Sequence, residues 1–338
     1  MYLSSFAMTE PDDNLHMYYP SWFNAWESHM YNLSLKSTQA NAWAFKRFGM
    51  SKTGYVREIL RKPDIKAYID AMNEAAEIAF NQLTDKTRMA LTRSRTAFIY
   101  TDAWGESGVF EAAMTPLSMT TINTAPRLLI QKFSARDFSC KVRSEKQSLM
   151  QAMIMADQYL AWDVFDFVVI CSAFRAVPVL VFSEEDRPID KQDKAQYPSI
   201  QTNICIERVG CFVFSQRESE LEINCGEYIM PDHHPAAYQE LLGETTNLDW
   251  LAYAGLRKNR HLHQQLIGRE KQGVRTVDLV DVYGASGHLS PALSWIYLQQ
   301  QNLTGKMRTI VPDNFGGYHY FDSVCSDYGA RRDHGTKN

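Results

Sequence analysis

Residues 144–175 read SEKQSLMQAMIMADQYLAWDVFDFVVICSAFR. Ser144 and Gln147 form a capping-box pattern, and Leu149, Met150, Met153, Ile154, Leu160, Val164, Phe165 and Val168 keep helical spacing behind it. Towards its end the stretch becomes apolar on nearly every side, as a helix does when it is surrounded by protein. The sequence therefore predicts one long central helix, around which the rest of the chain is organised.

Upstream, Pro63 and Asp64 open a helix that carries Ile65, Tyr68, Ile69, Met72, Ala75, Ala76, Ala79, Phe80 and Leu83 on one face. Trp22, Trp26, Met30 and Leu33 are helically spaced after Pro20-Ser21, and a short helix is predicted over 55–60, stopped at Lys62-Pro63. Downstream, helical pattern returns over 235–242, 247–267 and 290–301, the last with Ser290 as cap and Pro291 in the first turn. Strand patterns are confined to 177–182, 203–214, 221–229, 274–283 and 307–311. No repeat of fixed period is visible. The expected class is mainly α with a smaller β-containing subdomain (α+β). Residues 1–176 and 250–338 would form a helical shell domain, and residues 177–249 an acidic, strand-containing, protruding subdomain.

A chain of 338 residues with 45% apolar and 12% aromatic content has ample material for a buried core, which excludes a disordered protein. Lys+Arg 35 against Asp+Glu 39 gives a net charge of -4, so a strongly basic nucleic-acid binder is excluded as well. The charge is segregated: residues 184–249 hold 14 acidic and 5 basic side chains, hence -9. The apolar run 160–182 is interrupted by Asp163, Asp166, Arg175 and Pro178, and the N-terminus carries Glu10, Asp12 and Asp13, so neither a membrane span nor a signal peptide is expected. The six cysteines lie in apolar surroundings without CxxC spacing and read as reduced thiols.

Phosphate-loop, dinucleotide, nucleophile-elbow and HExxH motifs are absent, so no catalytic residue, metal ligand or cofactor is predicted. Two features could still carry chemistry. His233 and His234 follow a strand and His261 and His263 share a helix, but none has strong zinc spacing. Tyr283-Gly284-Ala285-Ser286-Gly287-His288 precedes the Ser290 helix, and its backbone N–H groups could hold an anion there; an ordinary strand-to-helix turn is the simpler account.

Aromatic residues cluster near the chain ends, and the segments 1–17 and 314–338 have little periodicity, which suits arms ordered against neighbouring subunits. Together with Pro20-Ser21-Trp22-Phe23-Asn24-Ala25-Trp26, the helix over 144–175 and the switch to Glu184-Glu185-Asp186, the chain resembles coat proteins of partitivirus-like double-stranded RNA viruses, the plant cryptic viruses. The resemblance implies a self-assembling viral coat protein that encloses an RNA genome, located in the virion and host cytoplasm. Its partners would be copies of itself and non-specifically bound RNA, with no membrane contact. Trp22, Phe23, Trp26, Tyr318, Tyr320 and Phe321 are the expected subunit contacts, and Arg257, Lys258, Arg260, Arg269 and Lys271 the expected genome-facing cations. Two other readings stay open: an enzyme using the histidine set or the turn 284–290, and a nucleoprotein coating single-stranded RNA.

Overall fold

The computed structural model describes residues 1–12, 14–20, 25–49, 55–56, 65–102, 127–136, 138–185, 201–230, 235–243, 247–256, 260–313 and 315–326. The chain runs β1 (Tyr2–Thr9), β2 (His16–Tyr18), α1 (Ala25–Thr38), β3 (Ala42–Lys46), β4 (Tyr55–Val56), α2 (Ile65–Gln82), α3 (Asp85–Leu91) and β5 (Thr96–Asp102). There follow α4 (Arg127–Lys132), β6 (Phe138–Arg143), a 3-10 turn Glu145–Gln147, α5 (Ser148–Ala161), β7 (Phe167–Phe174), α6 (Pro178–Glu185), β8 (Thr202–Ile206) and β9 (Arg208–Ser215). The remainder is β10 (Leu221–Cys225), α7 (Pro235–Leu242), β11 (Trp250–Tyr253), α8 (Arg260–Lys271), β12 (Arg275–Asp278), α9 (Leu279–Tyr283), a 3-10 helix Gly287–Ala292, α10 (Leu293–Gln300), β13 (Gly305–Pro312) and β14 (Tyr318–Cys325).

The chain is an α/β protein, not a mainly α one. The long helix expected over 144–175 is a helix followed by a strand. Asp163 takes a left-handed φ of 53° just after α5, and Arg95 fixes the turn by donating to the Asp163 carbonyl at 2.8 Å and, through its backbone N–H, to the Asp166 carboxylate at 2.9 Å. The β-branched run Val168-Val169-Ile170 then extends as β7, buried on both faces between β5 and β9. A strand buried on both sides has no alternation, so periodicity cannot separate it from a buried helix. The same ambiguity made a helix of 247–267, where Trp250–Tyr253 is a strand, and a strand of 177–182, where α6 begins at Pro178.

Ten strands form one sheet in the order β12-β11-β13-β14-β10-β1-β9-β7-β5-β6, and a smaller sheet runs β4-β2-β3-β8. The large sheet is the same pattern twice. In each half three strands are parallel (β6, β5 and β7; β12, β11 and β13), the next is antiparallel to them, and the first strand of that half lies innermost. The innermost strands, β1 and β10, pair over only two positions, Tyr2↔Glu222 and Leu3↔Leu221. This duplication of topology carries no periodic sequence signal. It also turns the N-terminal segment, expected to be an arm, into a central strand, and it places β9 and β10 mid-sheet where a protruding subdomain was expected.

The core has three main parts. One apolar cluster joins the inner faces of both halves through α5 and α10; a second packs α2 and α4 on the outer face of the first half; a third packs α7 and α8 on the outer face of the second. Trp295 of α10 shows how the inner layer is bridged. Its ring meets Phe212 and Phe214 of one half at centroid distances of 5.3 and 6.1 Å and Phe321 of the other at 5.6 Å, while its indole N–H donates to Ser323 at 3.1 Å. Among the described residues no helix is long and apolar enough to cross a membrane.

Candidate functional site

In a parallel sheet, the carboxyl ends of the strands and the free N–H groups of the helices that follow them converge on one edge, which is where such sheets place ligands. Here β5, β6 and β7 end at Asp102, Arg143 and Phe174, and α5 begins beside them. Ser148, the first residue of α5, ties the helix to the strand end, because its hydroxyl donates to the Asp102 carbonyl at 2.5 Å and accepts the Ser144 N–H at 2.8 Å.

Successive residues of a strand point to opposite faces, so the edge carries two polar groups. On the inner face, Thr101 Oγ1 donates to Ser172 Oγ at 2.6 Å, and Ser172 Oγ lies 2.8 Å from His288 Nε2. Thr101, Ser172 and His288 are all fully buried. The two strand residues come from the first half of the chain and His288 from the second, so the contact spans the duplication.

His288 is delivered by the Gly-rich turn. Arg208, itself paired with Glu10, anchors that turn by donating to the Tyr283 carbonyl at 2.7 Å and to Ser286 Oγ at 2.5 Å. Gly287 adopts a φ of 51°, and a Cβ there would lie 2.3 Å from the Phe174 ring, the ring that meets His288 edge-on. Gly287→Ala is therefore expected to cost about 2–3 kcal/mol through a left-handed conformation combined with overpacking, read as a lowered urea midpoint with an unchanged slope.

Hydrogen bonding and burial together bear on the imidazole's state. Ser172 accepts from Thr101, and when it gives its own proton to Nε2 the proton of the neutral ring is on Nδ1. Burial pushes the His288 pKa down to about 3, so the ring is neutral at physiological pH. His288 Nδ1 has no hydrogen-bond partner among the described residues. The group is thus a fixed, neutral N–H donor held in an apolar layer.

On the outer face, Asp102 accepts ion pairs from Lys141 at 3.1 Å and Arg143 at 2.8 Å, yet burial holds its carboxyl above the usual carboxylate range. Tyr100 and Arg175 share this face, with Tyr68 of α2 beneath Arg175.

Four of the thiols, buried Cys171 and Cys205 and half-buried Cys140 and Cys225, are held away from the thiolate form. Burial raises Cys140 and Cys205, a hydrogen bond with Cys211 together with burial raises Cys171, and burial pushes Cys225 up to about 12. Among the described residues no cluster of His, Cys, Asp and Glu could hold a metal ion.

The residues singled out from sequence lie mostly elsewhere. Arg257, Lys258, Trp22, Phe23, His233 and His234 fall outside the described residues. Arg260 and His261 belong to α8, as do exposed His263, half-buried Arg269 and exposed Lys271. Trp26 is exposed on α1. Tyr318 and Phe321 are buried in β14, and Tyr320 lies under the Arg308 guanidinium, 4.2 Å from its ring centroid. Among those that are described, the turn 284–290 is the one that reaches the strand ends, and it brings His288. Thr101 and Ser172 were missed because each sits in a strand that periodicity did not resolve.

No protein-family model and no curated protein sequence matches the chain. Solved structures do. A cysteine-to-serine variant of Xanthomonas campestris OleA with bound lauric acid and lauroyl-CoA superposes with a TM-score of 0.56 at 9% identity, covering 96% of this chain and 98% of that one. A cerulenin-bound OleA variant gives 0.57 at 8% identity over 96% of both chains. A type II polyketide synthase ketosynthase in complex with its acyl-carrier protein, AntDE:AntF, gives 0.55 at 11% identity over 96% of this chain and 99% of that one. The fold is thiolase-like.

That result overturns the resemblance to partitivirus coat proteins. A thiolase-like chain has the neighbours of biosynthetic enzymes rather than of capsids, and the RNA-enclosing coat function and the virion location fall with the resemblance. Aromatic surplus and aperiodic termini were assigned to contacts between subunits, whereas Phe6, Phe212, Phe214, Trp295 and Phe321 fill the layer between two halves of one chain.

Proposed function

We propose that the chain is an enzyme that binds an acyl thioester at the carboxyl ends of β5–β7 and polarises its carbonyl with His288. The observation that carries this reading is the chain Thr101–Ser172–His288, three buried polar groups aligned so that one N–H is left without a partner among the described residues. A neutral imidazole with a pKa near 3 is a poor base but a strong, fixed hydrogen-bond donor, the type of group that stabilises a developing oxyanion in a dry site. The substrate class is suggested by the similar structures, one holding lauroyl-CoA and another an acyl-carrier protein with its ketosynthase. Thr101 and Ser172 would act through His288 by fixing its tautomer and orientation. The carbonyl oxygen would accept from Nδ1 while a water molecule adds to the carbonyl carbon; the C–S bond then breaks, the acyl group leaves as the carboxylic acid and the sulfur as the CoA thiol, which takes up a proton of that water.

The test is incubation of the full chain with lauroyl-CoA while following release of free CoA thiol. The wild-type protein is expected to turn over. His288→Phe should lower kcat/KM by about 10²–10³-fold, the usual loss for one oxyanion donor. Ser172→Ala should lose less and chiefly in kcat, because the donor remains but its tautomer is no longer fixed. Absence of thiol release from the wild-type protein, or equal rates for His288→Phe and wild type, would refute the assignment.

A further inference from the structure

Arg175 follows β7 directly and is only 6% exposed, yet none of its three guanidinium nitrogens has a hydrogen-bond partner among the described residues. Its guanidinium carbon lies 5.3 Å from the centroid of the Tyr68 ring, which in turn meets Phe48 at 4.8 Å. The Tyr100 hydroxyl, on the same face of the neighbouring strand, is also buried without a partner there. The carboxylates of this cluster are committed elsewhere. Glu207 accepts from Arg47 Nε at 3.2 Å and from the N–H groups of Phe48 at 2.8 Å and Ala176 at 3.0 Å, and Asp102 is held by Lys141 and Arg143. The Tyr68 hydroxyl sits beside Glu207 but makes no hydrogen bond of ordinary geometry with it, and the carboxylate's charge adds to the burial that raises this tyrosine. Neither carboxylate hydrogen-bonds to Arg175, so among the described residues its charge has no bonded counter-ion.

A buried guanidinium without acceptors is costly, and its planar fork matches a carboxylate through two parallel hydrogen bonds. We propose that Arg175 and the Tyr100 hydroxyl form a binding site for a carboxylate group on the outer, α2-facing side of the β5–β7 edge. A monoanion suits the site better than a phosphate dianion, because ion desolvation rises steeply with charge and the walls are the rings of Tyr68 and Phe48. The site lies on the opposite face of the sheet from Thr101, Ser172 and His288, so it does not depend on the reading given to them.

Benzoate is the probe. Calorimetric titration and thermal melting of the full chain would be run with sodium benzoate, with sodium chloride at equal ionic strength, and with inorganic phosphate. The wild-type protein should bind benzoate saturably and melt a few degrees higher at saturation, as mass action requires of a ligand that binds only the folded state. Tyr100→Phe should weaken binding several-fold, and Arg175→Met should abolish it. Ligand-free Arg175→Met should melt no lower than wild type, since it removes an unpaired buried charge. No saturable benzoate effect in the wild-type protein, an equal effect in Arg175→Met, or a response to phosphate but not to benzoate would each overturn the proposal. So would a ligand-free Arg175→Met protein that melts well below wild type, which would assign the guanidinium to packing alone. If that variant does not fold, the wild-type titration and Tyr100→Phe decide the matter.

Discussion

Glu207→Ala is expected to destabilise the protein by about 3–5 kcal/mol, the usual consequence of removing one partner from a buried ion pair. Glu207 is 1% exposed and lies between β8 and β9. One oxygen takes the Arg47 guanidinium and the Ala176 N–H, and the other takes the Phe48 N–H. Truncation strands a buried cation, the buried Ala176 N–H and the half-buried Phe48 N–H at once. It also removes a tie between the small sheet, through Arg47 and Phe48 after β3, and the segment following β7. Urea unfolding followed by circular dichroism measures the effect. A loss below about 1 kcal/mol would mean that water replaces the carboxylate, and that the cluster is wetter than its burial indicates.

The second large effect is acid sensitivity through His288. Its pKa is about 3 in the folded protein against about 6.5 in the unfolded chain, so between those values the unfolded state binds more protons. Stability from this group is complete above about pH 6.5 and is lost as the pH falls towards 3. At pH 4 the wild-type protein should have lost about 3 kcal/mol from this histidine alone. His288→Asn has no such proton to take up, so its unfolding free energy should fall correspondingly less between pH 7 and pH 4. Parallel stability curves for the two proteins would show that the ring titrates normally in the fold. The comparison is needed because other groups titrate in the same window, among them Asp102, whose raised pKa works in the opposite sense.

Sequence pattern made some elements plain and hid others for one physical reason. The helix α2 was legible because one of its faces is solvated, so Tyr68, Met72, Ala75, Ala76 and Ala79 stand out against Asp70, Glu74 and Glu77. The strands β8 and β10 are legible because they alternate, and β9, which is buried along its whole length, was reached only as the continuation of β8. The strands β5 and β7 are buried along their whole lengths, and their uniformly apolar sequences carry no period. Losing them meant losing the sheet, and with it the duplication, the parallel edge and the positions of Thr101, Ser172 and Arg175. Each of those residues is a single polar side chain inside or just beyond an apolar run, which composition and motif patterns do not weigh. The turn 284–290 was visible as a glycine-bearing strand-to-helix connection suited to an anion. What it delivers is an imidazole, and only the pairing of distant segments shows why His288 matters more than His263, which is exposed on α8.

The claim that unifies the account is that His288 Nδ1 is an open hydrogen-bond donor and meets the acyl carbonyl. A crystal structure of the full chain soaked with lauroyl-CoA tests it most directly. The account predicts the thioester carbonyl oxygen within about 3 Å of His288 Nδ1, with Ser172 Oγ still on Nε2. Density for the acyl chain elsewhere, with Nδ1 bonded to a protein group, would contradict it.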